Sequence, residues 1–337
     1  MHRSIDAVLI KGDGIGTEII DATTDILAAL PTVSFNWEEH YAGLEYYERF
    51  NEIVPNDTLQ AIQNKGLALK GPFTTYSGKG QRSANWHIRR ELDLYVCMRP
   101  IVSHSKGIDI LLIRENTEDL YGAIEWETGD SAFAVKVATT GGCERIATYA
   151  FQKAVEKSRN KITVAHKANN LKKTEGMFLE VAQRIGEQYA MIQTNDQLID
   201  SLAADVVMYP EQYDVILTTN TFGDILSSLG AGLLGSHALV PSASINRNIV
   251  LVEGAHGSAP ELKGENVANP TGLILASALL LDEIKLYEEA RMIRQAIENV
   301  SQNGISTPDS GGKASTTEFA QEIKKELREL GHVMRSV

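Results

Sequence analysis

The stretch AVLIKGDGIGTE (residues 7–18) sets the pattern on which the fold depends. A short apolar run ends at a glycine-rich turn, and a helical pattern begins directly after that turn. Similar short β-branched runs recur along the chain, at 33–37, 66–70, 108–113, 161–165, 214–219 and 248–253. Helical patterns lie between them, for example at 143–158, 173–188, 197–208 and 272–302. This alternation predicts an α/β protein with a largely parallel sheet.

The glycines of the first turn follow the spacing G-x-G-x-G. A dinucleotide-binding loop of the Rossmann type requires G-x-G-x-x-G, so the match is incomplete. Glycine also serves wherever a strand must turn sharply into a helix. We therefore interpret residues 11–18 as a tight turn.

One segment breaks the α/β alternation. In AFAVKVATTGG (132–142), Phe133, Val135 and Val137 alternate with other residues, which predicts an exposed antiparallel ribbon. A two-stranded ribbon is marginal alone, so it often needs a partner chain.

Composition narrows the function classes. The chain has 337 residues, 43% of them hydrophobic and 23% charged, as in ordinary globular proteins. A net charge of −12 argues against a nucleic-acid partner, because phosphate binding needs a basic surface. The longest apolar run, LILASALLL (273–281), is too short to span a bilayer, and Cys97 and Cys143 cannot form a disulfide framework. We expect no membrane partner and a cytoplasmic location.

Arginines are concentrated in GQRSANWHIRRELDLYVCMRP (80–100), and Arg114 follows in IRENTEDLYG (113–122). Arginines bind carboxylates bidentately, so a converging set would suit a di- or tricarboxylate substrate. The same residues also suit a solvated helix surface, paired with Glu91 and Asp93. Charge alone leaves both interpretations open.

Two further charged residues follow strands. Lys167, in VAHKANNLKKT (164–174), lies just past a strand end, where open α/β sheets place their ligands. Asp224, in TNTFGDILSSLGAGLL (219–234), suits either a helix N-cap or a metal ligand assisted by Asp200. Mg²⁺ accepts one or two protein carboxylates, with substrate oxygens and waters completing its shell.

Together these segments resemble the isocitrate/isopropylmalate dehydrogenase family, the metal-dependent β-decarboxylating dehydrogenases. The resemblance covers nearly the whole chain in the family's order. The matching blocks are GDGIG, KGPFTT, RSANWHIRRELDLYVCMRP, RENTEDLYGAIEW, HKAN, FGDILS, HGSAPEL, ANPTG and GGKASTTEF.

The resemblance implies a two-domain α/β fold of non-Rossmann type, with parallel and mixed sheets flanked by helices. A large cofactor-side domain would comprise residues 1–96 and 236–337. A small domain, 97–235, would carry a β clasp for dimerisation near 127–142. The active site would lie between the domains of a homodimer and take residues from both subunits.

The family pattern also implies roles for single residues. Arg89, Arg99 and Arg114 match the residues that bind substrate carboxylates, and Tyr121 and Lys167 match the catalytic pair, Lys167 reaching across the dimer. Asp224, with Asp200 from the other subunit, matches the aspartates that bind Mg²⁺ or Mn²⁺. The chain departs from the family at Ser228, where a third acid usually stands.

Substrate and cofactor preferences follow from the same comparison of patterns. Ser83 and Asn85 match the isocitrate type, where they bind the third carboxylate, although Trp86 and His87 are bulkier than usual. Glu261, an acid where NADP-dependent members carry a basic residue, favours NAD because it repels a 2′-phosphate. The residues that match cofactor contacts are Thr74, Asn169, His256, Gly257, Ala259, Glu261, Leu262 and Asn269.

The resemblance therefore implies NAD-dependent oxidative decarboxylation of isocitrate to 2-oxoglutarate. A second interpretation is the same reaction on a related 2-hydroxy acid, namely homoisocitrate, isopropylmalate, tartrate or a secondary-metabolite analogue. Trp86, His87 and Ser228 favour that second interpretation. A third is a non-catalytic regulatory subunit, although such subunits typically lose several of the catalytic and metal-binding residues that this chain retains.

Overall fold

The computed structural model describes residues 2–78 and 80–335, and the chain divides into two compact units. The terminal unit comprises Met1–Leu92 and Gly235–Val337, and the central unit comprises Asp93–Leu234. Strands are numbered in chain order: β1 Arg3–Ile10, β2 Val33–His40, β3 Leu67–Lys70, β4 Val96–Ser103, β5 Ile108–Glu115, β6 Glu125–Thr128, β7 Ser131–Ala134, β8 Lys161–His166, β9 Gln193–Leu198, β10 Val215–Thr218, β11 Pro241–Ile245 and β12 Val250–Gly254. Helices follow the same rule: α1 Gly16–Leu27, α2 Leu44–Phe50, α3 Asn56–Lys65, α4 Ala84–Glu91, α5 Thr140–Glu156, α6 Thr174–Gly186, α7 Ile199–Met208, α8 Asn220–Leu234, α9 Thr271–Glu283, α10 Tyr287–Gln302 and α11 Thr316–Arg335.

The terminal unit is built on five strands in the order β2-β1-β3-β12-β11. All neighbouring strands are parallel except β11, which runs antiparallel to β12. Helix α9 packs on β11 and β12 and is buried almost all round, which explains its continuous apolar sequence. Helices α1, α10 and α11 pack around α9 and one another, so the apolar core of this unit lies between helices and sheet.

The central unit contains the order β4-β5-β10-β8-β9. Strand β4 is antiparallel to β5, and the remaining pairs are parallel. Strands β5, β8 and β10 are largely apolar and buried along nearly their whole length, the usual pattern of a parallel sheet covered on both faces. The predicted α/β architecture with a mostly parallel sheet is confirmed.

Two local expectations need correction. The helical pattern at 272–302 forms two helices, α9 and α10, because the chain turns at Lys285, whose φ is +63°. The ribbon expected at 132–142 is wrong in its bounds: β6 and β7 pair over 125–134, and α5 begins at Thr140. Every residue of this hairpin is exposed, and Trp126 stacks on Phe133 at 5.3 Å. Among the described residues, no helix has the length and apolarity that a bilayer crossing demands.

Candidate active site

In the central unit, the groups that can transfer protons or bind a charged ligand lie at the carboxyl ends of the parallel strands. Thr218 at the end of β10 lies opposite Arg114 of β5 on one side and Ala165 of β8 on the other. Because these strands are parallel, the segments that follow them start at one edge. Those segments carry Tyr121, Lys167 and Asp224.

Asp224 is held by two groups of different kinds. The Arg114 guanidinium, which is fully buried, forms a very short ion pair with Oδ1, and the hydroxyl of Tyr121 donates to Oδ2 at 2.6 Å. The guanidinium of Arg114 also lies over the Tyr121 ring, 5.2 Å from its centroid. A second guanidinium, that of Arg99, approaches Oδ1 to 3.8 Å. One carboxylate, one phenol and two guanidinium groups thus form a single polar cluster.

Helix α8 itself positions the two arginines. Asn220, the first residue of α8, accepts from Nε of Arg114 at 2.9 Å and from Nη2 at 2.6 Å. Ser227 accepts from Nη1 of Arg99. Neither Asn220 nor Ser227 was predicted as a site residue, although Asn220 lies two positions after the buried strand β10. Because α8 starts at Asn220, Asp224 lies one turn inside the helix, and the N-cap interpretation is wrong.

The ionisation of Asp224 suits a cation. Burial raises the pKa of its carboxyl, but the positive charge of Arg114 and the hydrogen bond from Tyr121 outweigh burial and lower it overall. Ser228, one turn on, is exposed and places no second carboxylate beside it. Within residues 2–78 and 80–335, no three His, Cys, Asp or Glu side chains are grouped to hold a metal. An ionised Asp224 whose side chain is 42% exposed still fits Mg²⁺ or Mn²⁺, which take one or two protein carboxylates beside other oxygen ligands.

Lys167 and Asp200 form a second charged pair in the central unit. Lys167 directly follows β8, and its Nζ lies 2.5 Å from Oδ1 of Asp200 in the first turn of α7. The hydrogen bond from Lys167 lowers the pKa of Asp200, which is exposed. Both residues were predicted as site residues from the sequence, but their direct contact within one chain was not.

The predicted substrate residues of the terminal unit lie on and before α4. Ser83 is the N-cap of α4 and accepts the backbone N–H of Asn85 at 3.1 Å, and the Oδ1 of Asn85 is buried without a hydrogen-bond partner. Arg89 donates to Glu253 at 3.0 Å, and the other oxygen of Glu253 binds the buried Lys70. Glu253 was not among the predicted site residues; it is the last but one residue of the buried strand β12, and Lys70 ends β3.

Trp86 and His87, which are bulkier than the residues usual at these positions, make defined packing contacts. The ring of Trp86 lies between the guanidinium groups of Arg82 and Arg90, at 5.2 and 5.0 Å from its centroid. His87 packs edge-on against Trp86, and burial lowers the pKa of its imidazole. Arg82 and Arg90 therefore make cation–π contacts with Trp86. Arg89, also on α4, instead pairs with the buried acid Glu253.

The loop after β12 carries most of the residues matched to cofactor contacts. His256 accepts no hydrogen bond at its buried Nε2, and burial lowers its pKa, so its ring is neutral near pH 7. Ala259 adopts a left-handed conformation with φ +37° directly before a 3-10 turn at Pro260–Leu262. Glu261 and Leu262 are exposed, and Asn269 is buried, donating to Asp309 at 3.1 Å.

The glycine-rich turn at 11–18 packs closely against neighbouring loops. The buried Asp13 carboxylate accepts backbone N–H groups from Leu44, Glu45 and Thr74 at 3.0, 2.9 and 2.7 Å. A Cβ on Gly14 would lie 2.0 Å from the carbonyl oxygen of Ser258, so only glycine permits this approach. Thr74 and Ser258 share a hydroxyl hydrogen bond of 2.6 Å. In the central unit, Asn169 is exposed two residues beyond Lys167.

Comparison with known proteins gives consistent matches. The family model for isocitrate/isopropylmalate dehydrogenase matches residues 6–323. A 3-isopropylmalate dehydrogenase of Archaeoglobus fulgidus is 39% identical, over 94% of this chain and 97% of that protein. An NAD isocitrate dehydrogenase catalytic subunit of Arabidopsis thaliana is 37% identical, over 95% and 87%. The crystal structure of isocitrate dehydrogenase from Methylococcus capsulatus superposes with a TM-score of 0.93 at 38% identity, covering 97% of this chain and 100% of that one.

Proposed function

The chain belongs to the isocitrate/isopropylmalate dehydrogenase family, and on that premise we propose that it oxidises and decarboxylates a malate-type 2-hydroxy acid with NAD. The observation that carries the proposal is the cluster of Tyr121, Asp224, Arg114 and Arg99, with Lys167 and Asp200 as a second pair. A chain that had lost catalysis would have little reason to keep every member of both sets. The regulatory-subunit interpretation is therefore less well supported.

Isocitrate is the first substrate candidate. Ser83 and Asn85 supply the polar groups that the isocitrate type uses for a third carboxylate, and both lie at the start of α4. The relatives give equal support to a second candidate, because the matched enzymes include a 3-isopropylmalate dehydrogenase and a homoisocitrate dehydrogenase. We therefore propose isopropylmalate and homoisocitrate as alternatives. The chemistry at the 2-hydroxyl and the β-carboxylate is the same for all three acids.

Arginine side chains would bind and orient the acid. Arg114 and Arg99 are preorganised by Asn220 and Ser227, so little side-chain entropy is lost when a carboxylate binds. Arg89 is likewise fixed by Glu253 and retains further N–H donors for a ligand. Bidentate binding of this kind fixes the direction of the bond that must break.

Three residues would move protons. Lys167 would pass one ammonium proton to Asp200, within hydrogen-bond distance, and would then take the proton of the 2-hydroxyl as the hydride leaves. Tyr121 would deliver a proton to the carbon that loses CO₂, because its hydroxyl is oriented by Asp224 and its ring by Arg114. Positioned proton transfer of this kind typically contributes about 10²–10⁴-fold in rate.

The chain holds suitable ligands for both cofactors of the family. Asp224 and Asp200 would hold a divalent cation, which when bound acts as a Lewis acid on the 2-hydroxyl and on the charge that develops during decarboxylation. Glu261 favours NAD, the hydride acceptor, because an acid accepts hydrogen bonds from ribose hydroxyls and repels a 2′-phosphate. His256, Gly257, Ala259, Leu262, Asn269, Thr74 and Asn169 are the further contacts proposed for it.

The working assembly that we propose is a homodimer with shared active sites, in the cytoplasm. The exposed hairpin of β6 and β7 supports this proposal, because a two-stranded ribbon with stacked Trp126 and Phe133 in water is marginal alone. We also propose that the terminal and central units correspond to the large and small domains of the family.

The test is an assay of the purified protein with NAD⁺, Mg²⁺ or Mn²⁺, and isocitrate, isopropylmalate or homoisocitrate in parallel, followed by NADH absorbance. A metal-dependent rise with one acid would establish the reaction and choose among the three substrates. A rise only with NADP⁺ would contradict the role of Glu261. No turnover of any acid with either cofactor, in a folded protein that binds metal, would overturn the proposal in favour of a regulatory subunit.

A further inference from the structure

Lys136 lies between two buried carboxylates of the central unit. Its Nζ is 2.6 Å from Oδ1 of Asp119 and 2.9 Å from Oε1 of Glu175. The two acids are 2% and 0% exposed, and the Lys136 side chain is 13% exposed, so water contributes little to their solvation. Two buried carboxylates without a cation would be strongly unfavourable, and Lys136 provides that cation. Its ammonium also lies 5.2 Å from the ring centroid of Phe222.

Each carboxylate holds a segment that carries a proposed catalytic group. Glu175 accepts the backbone N–H of Lys167 at 3.1 Å and the hydroxyl of Thr219 at 3.1 Å. Asp119, two residues before Tyr121, accepts the backbone N–H of Thr221 at 2.9 Å. Thr219 and Thr221 flank Asn220, where α8 begins. The segments that carry Tyr121, Lys167 and Asp224 thus meet at one ammonium group.

The backbone conformation of Asp119 requires stabilising contacts. Asp119 has φ +69° and ψ −150°, a region that non-glycine residues rarely occupy. Such a conformation persists only where the surroundings hold it. Backbone hydrogen bonds between Asp119 and Val137, at 2.9 and 3.4 Å, stabilise this conformation, and the side chain of the neighbouring Lys136 adds its ion pair.

We propose that Lys136 is a positioning residue that fixes the segments of Tyr121 and Lys167 relative to the start of α8, a role that rests on the function proposed above. In the proposed dimer these two segments serve different active sites, so each Lys136 would act on both. Lys136 contacts neither Arg99 nor Arg114 in the interactions described above, and these arginines keep their own partners, Ser227 and Asn220. Removal of the ammonium should therefore disturb proton transfer and leave substrate binding nearly intact.

The test compares Lys136→Met and Lys136→Arg with the wild type, and uses Lys161→Met as the matched control. Lys161 belongs to the same unit and donates to a backbone carbonyl, that of Gln212, at 3.0 Å. For Lys136→Met we expect kcat to fall about 10²-fold with KM for the acid nearly unchanged, because small misplacements of catalytic groups carry such costs. Lys136→Arg, which keeps the charge, should recover part of the loss, and Lys161→Met should lose little.

Hydrogen–deuterium exchange supplies a readout that needs no activity. In Lys136→Met, exchange should rise at 118–123, 167–171 and 219–224 but not in the helical residues 143–156. A uniform rise across the unit, or a rise in KM as large as the fall in kcat, would overturn the positioning role. If the wild type itself turns over no acid, the proposed function fails, and the exchange pattern alone decides the role of Lys136. If Lys136→Met does not fold, Glu175→Gln is measured by the same criteria.

Discussion

The phenol oxygen of Tyr121 lies 2.6 Å from Oδ2 of Asp224, so the proposed proton donor binds the proposed metal ligand directly. The same carboxylate pairs with Arg114 through its other oxygen. Protonation, cation binding and substrate-carboxylate binding therefore converge on one side chain of α8. Single substitutions at or beside this side chain can therefore separate the three functions.

Tyr121→Phe removes the hydroxyl and keeps the ring beneath Arg114. We expect product formation to slow by about 10²–10⁴-fold, with KM for the acid little changed, because a positioned proton donor is lost. Steady-state kinetics with parallel measurement of NADH and CO₂ would check this. Tyr209→Phe, at an exposed tyrosine of the same unit, is the control. Equal losses in kcat and in substrate affinity would contradict the assigned role.

Ser228→Asp should tighten metal binding, since it adds a carboxylate one helical turn from Asp224. Affinity for hard cations rises with the number of charged ligands, so we expect a gain of about tenfold or more. The measurement is the Mg²⁺ concentration that gives half-maximal activity, together with calorimetric titration. Ser228→Asn, similar in size to Asp but neutral, should show no such gain, whereas Asp224→Asn should abolish metal activation. An unchanged midpoint in Ser228→Asp would place the metal elsewhere.

The imidazole of His256, whose Nε2 is buried, should make folding stability depend on pH. Burial lowers its pKa in the folded state, so below its ordinary value the unfolded chain binds a proton that the folded chain does not. Stability is then fully present above about pH 6.5 and is lost as the pH falls towards the folded-state pKa. Urea unfolding should show a slope of at most about 1.4 kcal/mol per pH unit from this group.

His256→Gln should flatten that slope below about pH 6.5, because the titrating group is gone. His104→Gln, at an exposed position, serves as the control and should leave the slope as it is in the wild type. If the wild type and His256→Gln lose stability in parallel on acidification, another group is responsible.

Glu261→Lys with Leu262→Tyr should shift the cofactor preference towards NADP⁺. The exposed carboxylate repels a 2′-phosphate, and a like-charge contact costs several kcal/mol, so we expect the ratio of kcat/KM values to change by about 10²-fold. The assay compares both cofactors at saturating acid. Glu265→Lys changes the charge of the same loop by the same amount and should leave the ratio near that of the wild type.

Trp126→Ala with Phe133→Ala should weaken the proposed dimer. These stacked aromatic rings are 50% and 44% exposed in the single chain, and aromatic residues at the centre of an interface typically contribute about 2 kcal/mol or more each. Sedimentation should show a dimer for the wild type and a monomer for the double variant, with activity lost in parallel. Phe50→Ala, at another exposed aromatic residue, should remain dimeric. A wild type that sediments as a monomer would contradict the shared-site proposal.

The sequence predicted the positions of the strands well, but it did not predict which residues pair with the site arginines. Residues 161–165 and 214–219 were predicted as strands from β-branched composition, and β8 and β10 occupy those positions. The residue that orients Arg114, however, is Asn220, and the one that orients Arg89 is Glu253, 164 residues away. Local patterns carry no record of such distant pairs. The hairpin was predicted several residues too far along the chain. The alternation of apolar residues that follows the turn at Gly129 continues past β7 into the residues that lead to α5.

By itself the sequence determined the α/β class and the family, because strand and helix periodicities are local and the family's blocks occur in order. It also placed Lys167 at a strand end. Only the tertiary structure decided that Asp224 lies inside α8, that Lys167 binds Asp200, and that Lys136 joins Asp119 to Glu175. The physical reason is that a buried charge must find an opposite charge in three dimensions, and the sheet brings together residues that lie far apart along the chain.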